Sequence, residues 1–323
     1  MELTEVLDGH AVVQASSNYP DGSAREGLIR LGKRVVPIRD GIPRFCDNGY
    51  ANNFDVQWNA FRQTQLDSIT GLPLTFNRFW NSTKWKPREL FGRRVLEAGS
   101  GAGRFTEILI ESGCDLVSFD LSGAVDANWQ VNRNKGRFLL MQADIYDLPL
   151  QSNFFDFVFC YGVLQHTPDP ERAYRELWKR LRPGGRISID FYIKFERPSP
   201  WATPKYLWRP LTTRMKPEKL LRIVRYYVPW WLPFDTFIKR IPIVGQTLGA
   251  LTGIPCWNYY NLPLTSEQKC EWAVMDTFDA LGAAYDTPKT LSEVRDMVSL
   301  PDADKIEVFK GSNGVVANVT KKG

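Results

Sequence analysis

Histidine is scarce in this sequence: His10 and His166 are the only two among 323 residues. No cluster of metal-ligand residue types is visible around either of them. Cysteine is sparse too. Cys46, Cys114, Cys160, Cys256 and Cys270 are scattered and odd in number, and no two stand at C-x-x-C spacing. That pattern argues against a disulfide framework and against a structural zinc site. A reducing compartment, the cytoplasm, is the expected setting. The sequence lacks an opening basic-then-apolar stretch, so no cleaved signal peptide is expected. It also lacks the run of roughly 20 apolar residues that a spanning helix needs. The nearest candidate, the uncharged stretch from Ile241 to Ser266, is broken by Pro242, Pro255 and Pro263 and by Gly245, Gly249 and Gly253. It reads as buried loop and short helix.

What is present is the composition of a globular chain. Hydrophobic residues make up 43%, and an aromatic share of 13% excludes disorder throughout. The length allows one large domain or two smaller ones. The net charge of +5 is unevenly spread. From Lys194 to Arg240 there are eleven Lys and Arg against three Asp and Glu, so one basic segment sits on an otherwise near-neutral chain. That is a clue to interaction rather than to fold.

Residues 1–47 read as a small β-rich leader, in which Val35-Val36-Pro37-Ile38 leads into the turn Arg39-Asp40-Gly41-Ile42-Pro43. Residues 48–91 are dense in aromatics, with Phe54, Trp58 and Phe61 at helical spacing. Two readings stay open for this segment: helices packed on a core, or a lid over a pocket. From Arg93 strands and helices alternate. Strands are expected at Arg94–Glu97, Leu116–Asp120, Phe138–Gln142, Phe155–Cys160 and Arg186–Phe191, the last entered through a Pro183-Gly184-Gly185 turn. Helices are expected at Arg104–Ser112 and from Pro170 to Leu181, the latter capped by Asp169. The rhythm breaks over 194–289. It resumes with a short helix, Leu291–Val298, and a hairpin of Lys305–Lys310 with Val315–Thr320. Such alternation predicts a mostly parallel sheet with helices on both faces and a closing antiparallel hairpin.

The chemistry-bearing motif is Glu97-Ala98-Gly99-Ser100-Gly101-Ala102-Gly103, placed between a strand and a helix. A dinucleotide fingerprint reads G-x-G-x-x-G, and counting from Gly99 its last glycine would fall on Arg104. Asp120 ends the second strand, where an acid can accept from both hydroxyls of a ribose. Asp144 ends the third, where an acid can accept from an exocyclic amine such as that of adenine. Cys160-Tyr161-Gly162 ends the fourth, on the edge where an open α/β sheet binds its ligand. A nucleoside fits this arrangement, without a pyrophosphate.

This ordered set, with Phe155-Asp156, Val163-Leu164-Gln165-His166 and Leu181-Arg182-Pro183-Gly184-Gly185 behind it, resembles the class I S-adenosylmethionine-dependent methyltransferases. The resemblance is close over about residues 92–192. It implies a Rossmann-like, seven-stranded, mostly parallel sheet with a C-terminal hairpin, an N-terminal leader and a large helical insertion. It also implies S-adenosylmethionine as cofactor and S-adenosylhomocysteine as product. Glu97 and the glycines, with Ala98 and Ser100, would then hold the methionine end. Asp120 and Leu121 would hold the ribose, Asp144 and Ile145 the adenine, and Cys160 and Tyr161 would line the pocket by their backbone. Asp156 reads as a structural residue. The leader string Pro37-Ile38-Arg39-Asp40-Gly41-Ile42-Pro43 resembles the end of a zinc-ribbon leader whose zinc cysteines are missing here.

His166 is the catalytic candidate, as a general base or as a wall of the pocket. Gln57, Trp58 and Gln165 are candidates for substrate or lid contact. The stretch after the fourth strand lacks the (D/N)-P-P-(Y/F) of amino-methylating nucleic-acid enzymes and the Pro-Cys of cytosine-C5 enzymes. Its Leu164-Gln165-His166-Thr167-Pro168-Asp169 looks like small-molecule, quinone or lipid methylators. A small-molecule, lipid-linked or glycan-type acceptor is therefore expected, and nucleic acid is not. The alternatives are RNA methylation and a catalytically silent cofactor-binding scaffold. For the basic insertion three readings stay open: a solvated face over a packed lid, recognition of a phosphorylated substrate, and peripheral membrane contact through residues 216–240.

Overall fold

A computed structural model describes residues 2–47, 54, 56, 57, 60, 61, 64–194 and 204–323. Two compact units emerge. The first holds residues 1–49, 73–194 and 285–323, and the second holds 50–72 and 195–284. The aromatic stretch 48–91 thus divides between the units.

The first unit opens with four antiparallel strands in sequential order: β1 (Ala11–Asn18), β2 (Ala24–Leu31), β3 (Arg34–Arg39) and β4 (Ile42–Pro43). Helix α1 (Leu74–Thr83) and strand β5 (Arg94–Ala98) follow, then α2 (Thr106–Glu111), β6 (Asp115–Asp120), α3 (Ala124–Asn132) and β7 (Phe138–Gln142). After β8 (Phe155–Cys160) come α4 (Pro170–Arg180), β9 (Leu181–Phe191), the helix Leu291–Val298, β10 (Ala303–Gly311) and β11 (Gly314–Lys321). The seven-stranded sheet has the order β10-β11-β9-β8-β5-β6-β7. Strand β11 runs antiparallel to both β9 and β10, and the other pairs are parallel. The fold is the expected α/β one, closing hairpin included.

Local sequence explains these elements. Strand β8, Phe-Asp-Phe-Val-Phe-Cys, is buried at every position, as a central parallel strand with covered faces must be. Asp169 caps α4 by accepting from the Arg172 amide, and Pro170 fills the first turn, where no amide partner is needed. The Pro183-Gly184-Gly185 turn is absorbed into β9. Phe155 pairs with Leu181 and Phe157 with Arg186, so the intervening residues of β9 bulge out of the ladder. Gly184, at φ 72°, takes the left-handed conformation that this bulge needs.

Two apolar clusters sandwich the sheet. One joins Val158, Ile187, Ile189 and Phe191 to Tyr174 and Leu177 of α4 and to Val294 and Val298. The other is aromatic, and joins Phe79 and Trp85 to Phe105, Phe157, Phe159 and Tyr161. Phe79 sits edge-on to Trp85 with ring centroids 6.0 Å apart, and Trp85 to Phe157 at 4.9 Å. Phe79 and Trp85 are thus core residues.

The leader is built into the edge of the large sheet. The Phe45 amide donates to the Gln142 carbonyl at 2.8 Å, and Arg44 bridges to Gln142 in parallel register. The Arg44 guanidinium pairs with Asp126 of α3. Ile42, fully buried, packs on Val125 and Leu140.

The second unit contains α5 (Lys205–Thr212), α6 (Pro217–Lys239), α7 (Gly245–Leu251) and α8 (Ser266–Gly282). Leu220, Leu221, Val224, Val228 and Leu232 of α6 pack against Ala273, Val274, Phe278 and Leu281 of α8. Thr265 and Gln268 form a capping box at the start of α8. Among the described residues no helix is long and apolar enough to cross a membrane.

Because the leader continues the sheet edge, it should not unfold alone. Ile42→Ala leaves a cavity that costs about 2–5 kcal/mol. Hydrogen exchange should accelerate at Phe138–Gln142 as well as in β3 and β4. Acceleration confined to the leader would contradict this packing.

Candidate functional site

The loop after β5 is held from below by a buried carboxylate. Glu97 is 1% exposed. Its Oε2 accepts from the Ser118 hydroxyl at 2.5 Å and from the Thr106 hydroxyl at 2.7 Å. Thr106 in turn accepts from Asn128 Nδ2 at 2.9 Å, and Asn132 Nδ2 donates to Asn128 Oδ1 at 2.9 Å and to the Gly103 carbonyl at 3.2 Å. A continuous chain of hydrogen bonds therefore ties β5 and β6 to α2 and α3. A Cβ on Gly103 would come within 2.2 Å of Asn132 Nδ2, so glycine is required there for α3 to approach. Burial pushes the Glu97 carboxyl up to about 7, against the two hydroxyl donors.

Four of the loop's amides are spent internally. Gly99 and Ser100 both donate to the Phe119 carbonyl, at 2.8 and 3.0 Å, and Gly103 donates to Ser100 at 2.9 Å. The Gly101 amide donates to Asp120 Oδ2 at 2.9 Å. A phosphate cradle needs several of these groups pointing at the ligand. Arg104, at the end of the loop, is engaged by Thr75, to which its Nε donates at 2.9 Å. The loop does not suit a pyrophosphate.

Acceptors, by contrast, are plentiful at the adjacent strand ends. Asp120 Oδ1 takes the amide and hydroxyl of Ser122, while Oδ2 takes the Gly101 amide. Asp144 caps the turn Ile145–Asp147 through Oδ1, at 2.9 Å from the Tyr146 amide. The leader reaches this end of the sheet. Burial, with Asp144 and Asp120 nearby, pushes the Cys46 thiol up to about 12. Ala98 and Ile145 are buried, and the Leu121 carbonyl is taken by Gln142 Nε2 at 3.0 Å.

Cys160 is fully buried, and burial together with Asp190 raises its thiol well above the ordinary value, so it is no nucleophile. The Tyr161 ring is committed to the aromatic cluster, with its hydroxyl 2.8 Å from Ser188 Oγ. Asp156 binds the Arg94 amide and Arg182, in keeping with a structural role. Gly162, at φ 73°, has open space where a Cβ would stand. The Ser100 hydroxyl and both amide atoms of Gln165 are buried without a hydrogen-bond partner. His166 is buried, with Nδ1 2.9 Å from the Tyr285 carbonyl. A carbonyl only accepts, so Nδ1 carries the proton of this contact. Gln57 is buried in the second unit, with no hydrogen-bond partner for its Oε1 among the described residues, and Trp58 lies outside them.

Sequence reasoning missed Arg78 and Asp190. Asp190 is 2% exposed; it accepts from the Gly162 amide and from Arg78 Nη2, each at 2.6 Å. The Arg78 guanidinium lies over the Phe105 and Tyr161 rings at 5.5 and 5.7 Å. This pair fixes the backbone where the fourth strand of the parallel order ends. The signal for it was a lone acid inside the apolar run Ile187–Phe191.

Strand order, glycine loop and two strand-end acids are brought together at one end of the α/β sheet. Residues 96–189 match the family model described as a methyltransferase domain, and the chain carries such a domain. Over 96 residues the chain is 36% identical to a malonyl-[acyl-carrier protein] O-methyltransferase of Enterobacter lignolyticus, covering 30% of this chain and 38% of that protein. A ubiquinone biosynthesis O-methyltransferase of Xanthomonas oryzae is 30% identical over 152 residues, which are 40% of this chain and 61% of the relative. Phosphoethanolamine N-methyltransferase 2 of Caenorhabditis elegans is 28% identical over 200 residues, 58% of this chain and 44% of the relative. The chain thus spans less than two thirds of the length of each.

The Glu97 titration is measurable. Between pH 4.5 and about 7 the folded chain keeps a proton that the unfolded chain has lost. Stability from this group is complete below that window and falls as pH rises through it. The loss is roughly 3 kcal/mol. Glu97→Gln, which does not titrate, should therefore gain stability over wild type as pH rises in urea unfolding. A difference that stays constant across the window would contradict the assignment.

Proposed function

We propose that the chain is an S-adenosylmethionine-dependent methyltransferase. It acts on a small-molecule, lipid-linked or glycan-type acceptor by in-line transfer. The observation that carries the reading is the loop of internally spent amides beside two acceptor-rich acids. Such a site takes a nucleoside that brings donors and positive charge, and has no place for phosphate. The cofactor supplies an activated methyl group on a sulfonium. This chain's residues would align an acceptor lone pair in line with that methyl group and pass any acceptor proton to a base or to water.

On this reading Asp120 binds the ribose hydroxyls and Asp144 with Ile145 the adenine. Glu97 holds Thr106 and Ser118, so that Gly99 to Gly103 stand ready for the methionine end. Ala98, Ser100, Leu121, Cys160 and Tyr161 complete the cofactor set, the last two through their backbone. His166 is assigned to take any acceptor proton or to wall the pocket. Gln165, Gln57 and Trp58 are assigned to acceptor or lid contact. The named relatives act on acyl-carrier-bound, quinone-precursor and amino-alcohol phosphate acceptors, which favours a small or carrier-linked molecule over RNA. The reading includes action from the cytoplasm, with peripheral membrane contact through residues 216–240. We take the leader as a zinc-ribbon relic without its metal, on the strength of the Pro37–Pro43 string.

The test is transfer of labelled methyl from the cofactor into a cell extract, followed by separation into lipid, soluble, glycan, protein and RNA fractions. Label should concentrate in the lipid, soluble or glycan fraction. It should drop by about tenfold or more with Asp120→Ala at limiting cofactor. His166→Ala should lower turnover while leaving cofactor affinity intact. Label in RNA, or none despite cofactor binding, would overturn the reading.

A further inference from the structure

The second unit exposes an apolar face that its own packing does not use. On α6 the buried seam is Leu220, Leu221, Val224, Val228 and Leu232. Tyr226, Trp230, Phe234 and Phe237, spaced four, four and three residues apart, share the opposite face. Tyr226 is 87% exposed, Trp230 68% and Phe237 75%. Trp230 and Phe234 lie with ring centroids 5.5 Å apart, so the stripe is continuous.

The stripe runs into a turn between α6 and α7 whose backbone is strained. Ile243 has φ 67°, the left-handed region that a β-branched side chain seldom occupies, and its side chain is fully exposed. Burying an isoleucine elsewhere would be the ordinary solution; here the chain adopts an unfavourable conformation with an apolar side chain at the tip. Leu248 of α7 is exposed just beyond. Pro229 and Pro233 stand inside α6 on its exposed side, and each frees a carbonyl one turn earlier that needs a polar partner.

Charge accompanies the stripe. Lys216, Lys219, Arg222 and Arg225 are exposed at the N-terminal end of α6, against one exposed acid, Glu218. Arg240 is exposed beside the turn, whereas Lys239 folds back onto buried Asp235 at 2.8 Å. Aromatics, a protruding apolar tip and a basic flank on one helix are the composition of an interfacial element. The freed carbonyls suit the headgroup layer, which is wet, and not the hydrocarbon.

We propose that the α6–α7 segment is a membrane-docking element, which seats Trp230, Phe237 and Ile243 at the acyl boundary of an anionic bilayer while Lys219 and Arg222 meet lipid phosphates. The inference deepens the lipid-linked reading of the acceptor and rests on it for its purpose alone. Docking and transfer are read separately: vesicle binding with label confined to the soluble fraction would remove the lipid-linked acceptor and leave the docking element.

The test is co-sedimentation of the full chain with vesicles of phosphatidylcholine alone and with phosphatidylglycerol added. Binding should be about tenfold or more tighter to the anionic vesicles at low salt, and weaker at high salt. The combined variant Trp230→Ser, Phe237→Ser, Ile243→Ser and the variant Lys219→Glu, Arg222→Glu should each lose about tenfold or more in partition. Both alter exposed side chains, so thermal unfolding and S-adenosylhomocysteine binding should stay at wild-type levels. No binding of wild type to anionic vesicles would overturn the proposal. So would self-association in sedimentation that the serine variant abolishes without any vesicle binding, since it would assign the face to a second copy.

Discussion

Glu97 is buried and held by two hydroxyls, with no cation among its hydrogen-bond partners. The arrangement is costly for a charge, and its elevated pKa follows from that cost. In return the side chain ties the end of β5 to β6 and to the first turn of α2 at one point. The hydrogen-bond chain through Thr106, Asn128 and Asn132 extends that point to α3 and to the Gly103 carbonyl. The glycine loop therefore has its floor fixed before any ligand arrives, and the amides of Gly99, Ser100, Gly101 and Gly103 are already satisfied. Asp120 closes the arrangement from above by taking the Gly101 amide. On the proposed reading, this economy of donors is what would disfavour a phosphate ligand.

A second set of contacts governs the far side of the site. Asp190, paired with Arg78, accepts from the Gly162 amide, where a Cβ-free position keeps space open. The leader supplies the opposite edge. By pairing Phe45 with Gln142 it continues the sheet and brings Cys46 close to Asp120 and Asp144. A segment that reads in sequence as a separate appendage is thus part of the structural frame of the nucleoside end.

Much of this was legible in the sequence. Strands Phe138–Gln142 and Phe155–Cys160 were readable to the residue, because each is a short apolar run between turn formers. Asp169 and Pro170 announced α4. The Pro183-Gly184-Gly185 stretch was less transparent, since only the pairing of Leu181 with Phe155 shows that the strand begins before it. In α6 the apolar residues are evident in the sequence, but nothing local shows that Ile223 leaves the packed face. Helical phase turns it outward beside Tyr226, while the seam runs through Leu220, Val224 and Val228. The polar chain of Asn128 and Asn132 and the pair Arg78–Asp190 were not legible. They join residues 22, 29 and 112 positions apart, and no local pattern encodes such partners.

The central claim is that this loop and its two acids form a phosphate-free nucleoside site. Calorimetric titration of the full chain with S-adenosylhomocysteine and, separately, with NAD tests it most directly. The account predicts saturable binding of one S-adenosylhomocysteine per chain and no heat of binding with NAD. Binding of NAD, with S-adenosylhomocysteine silent, would contradict it.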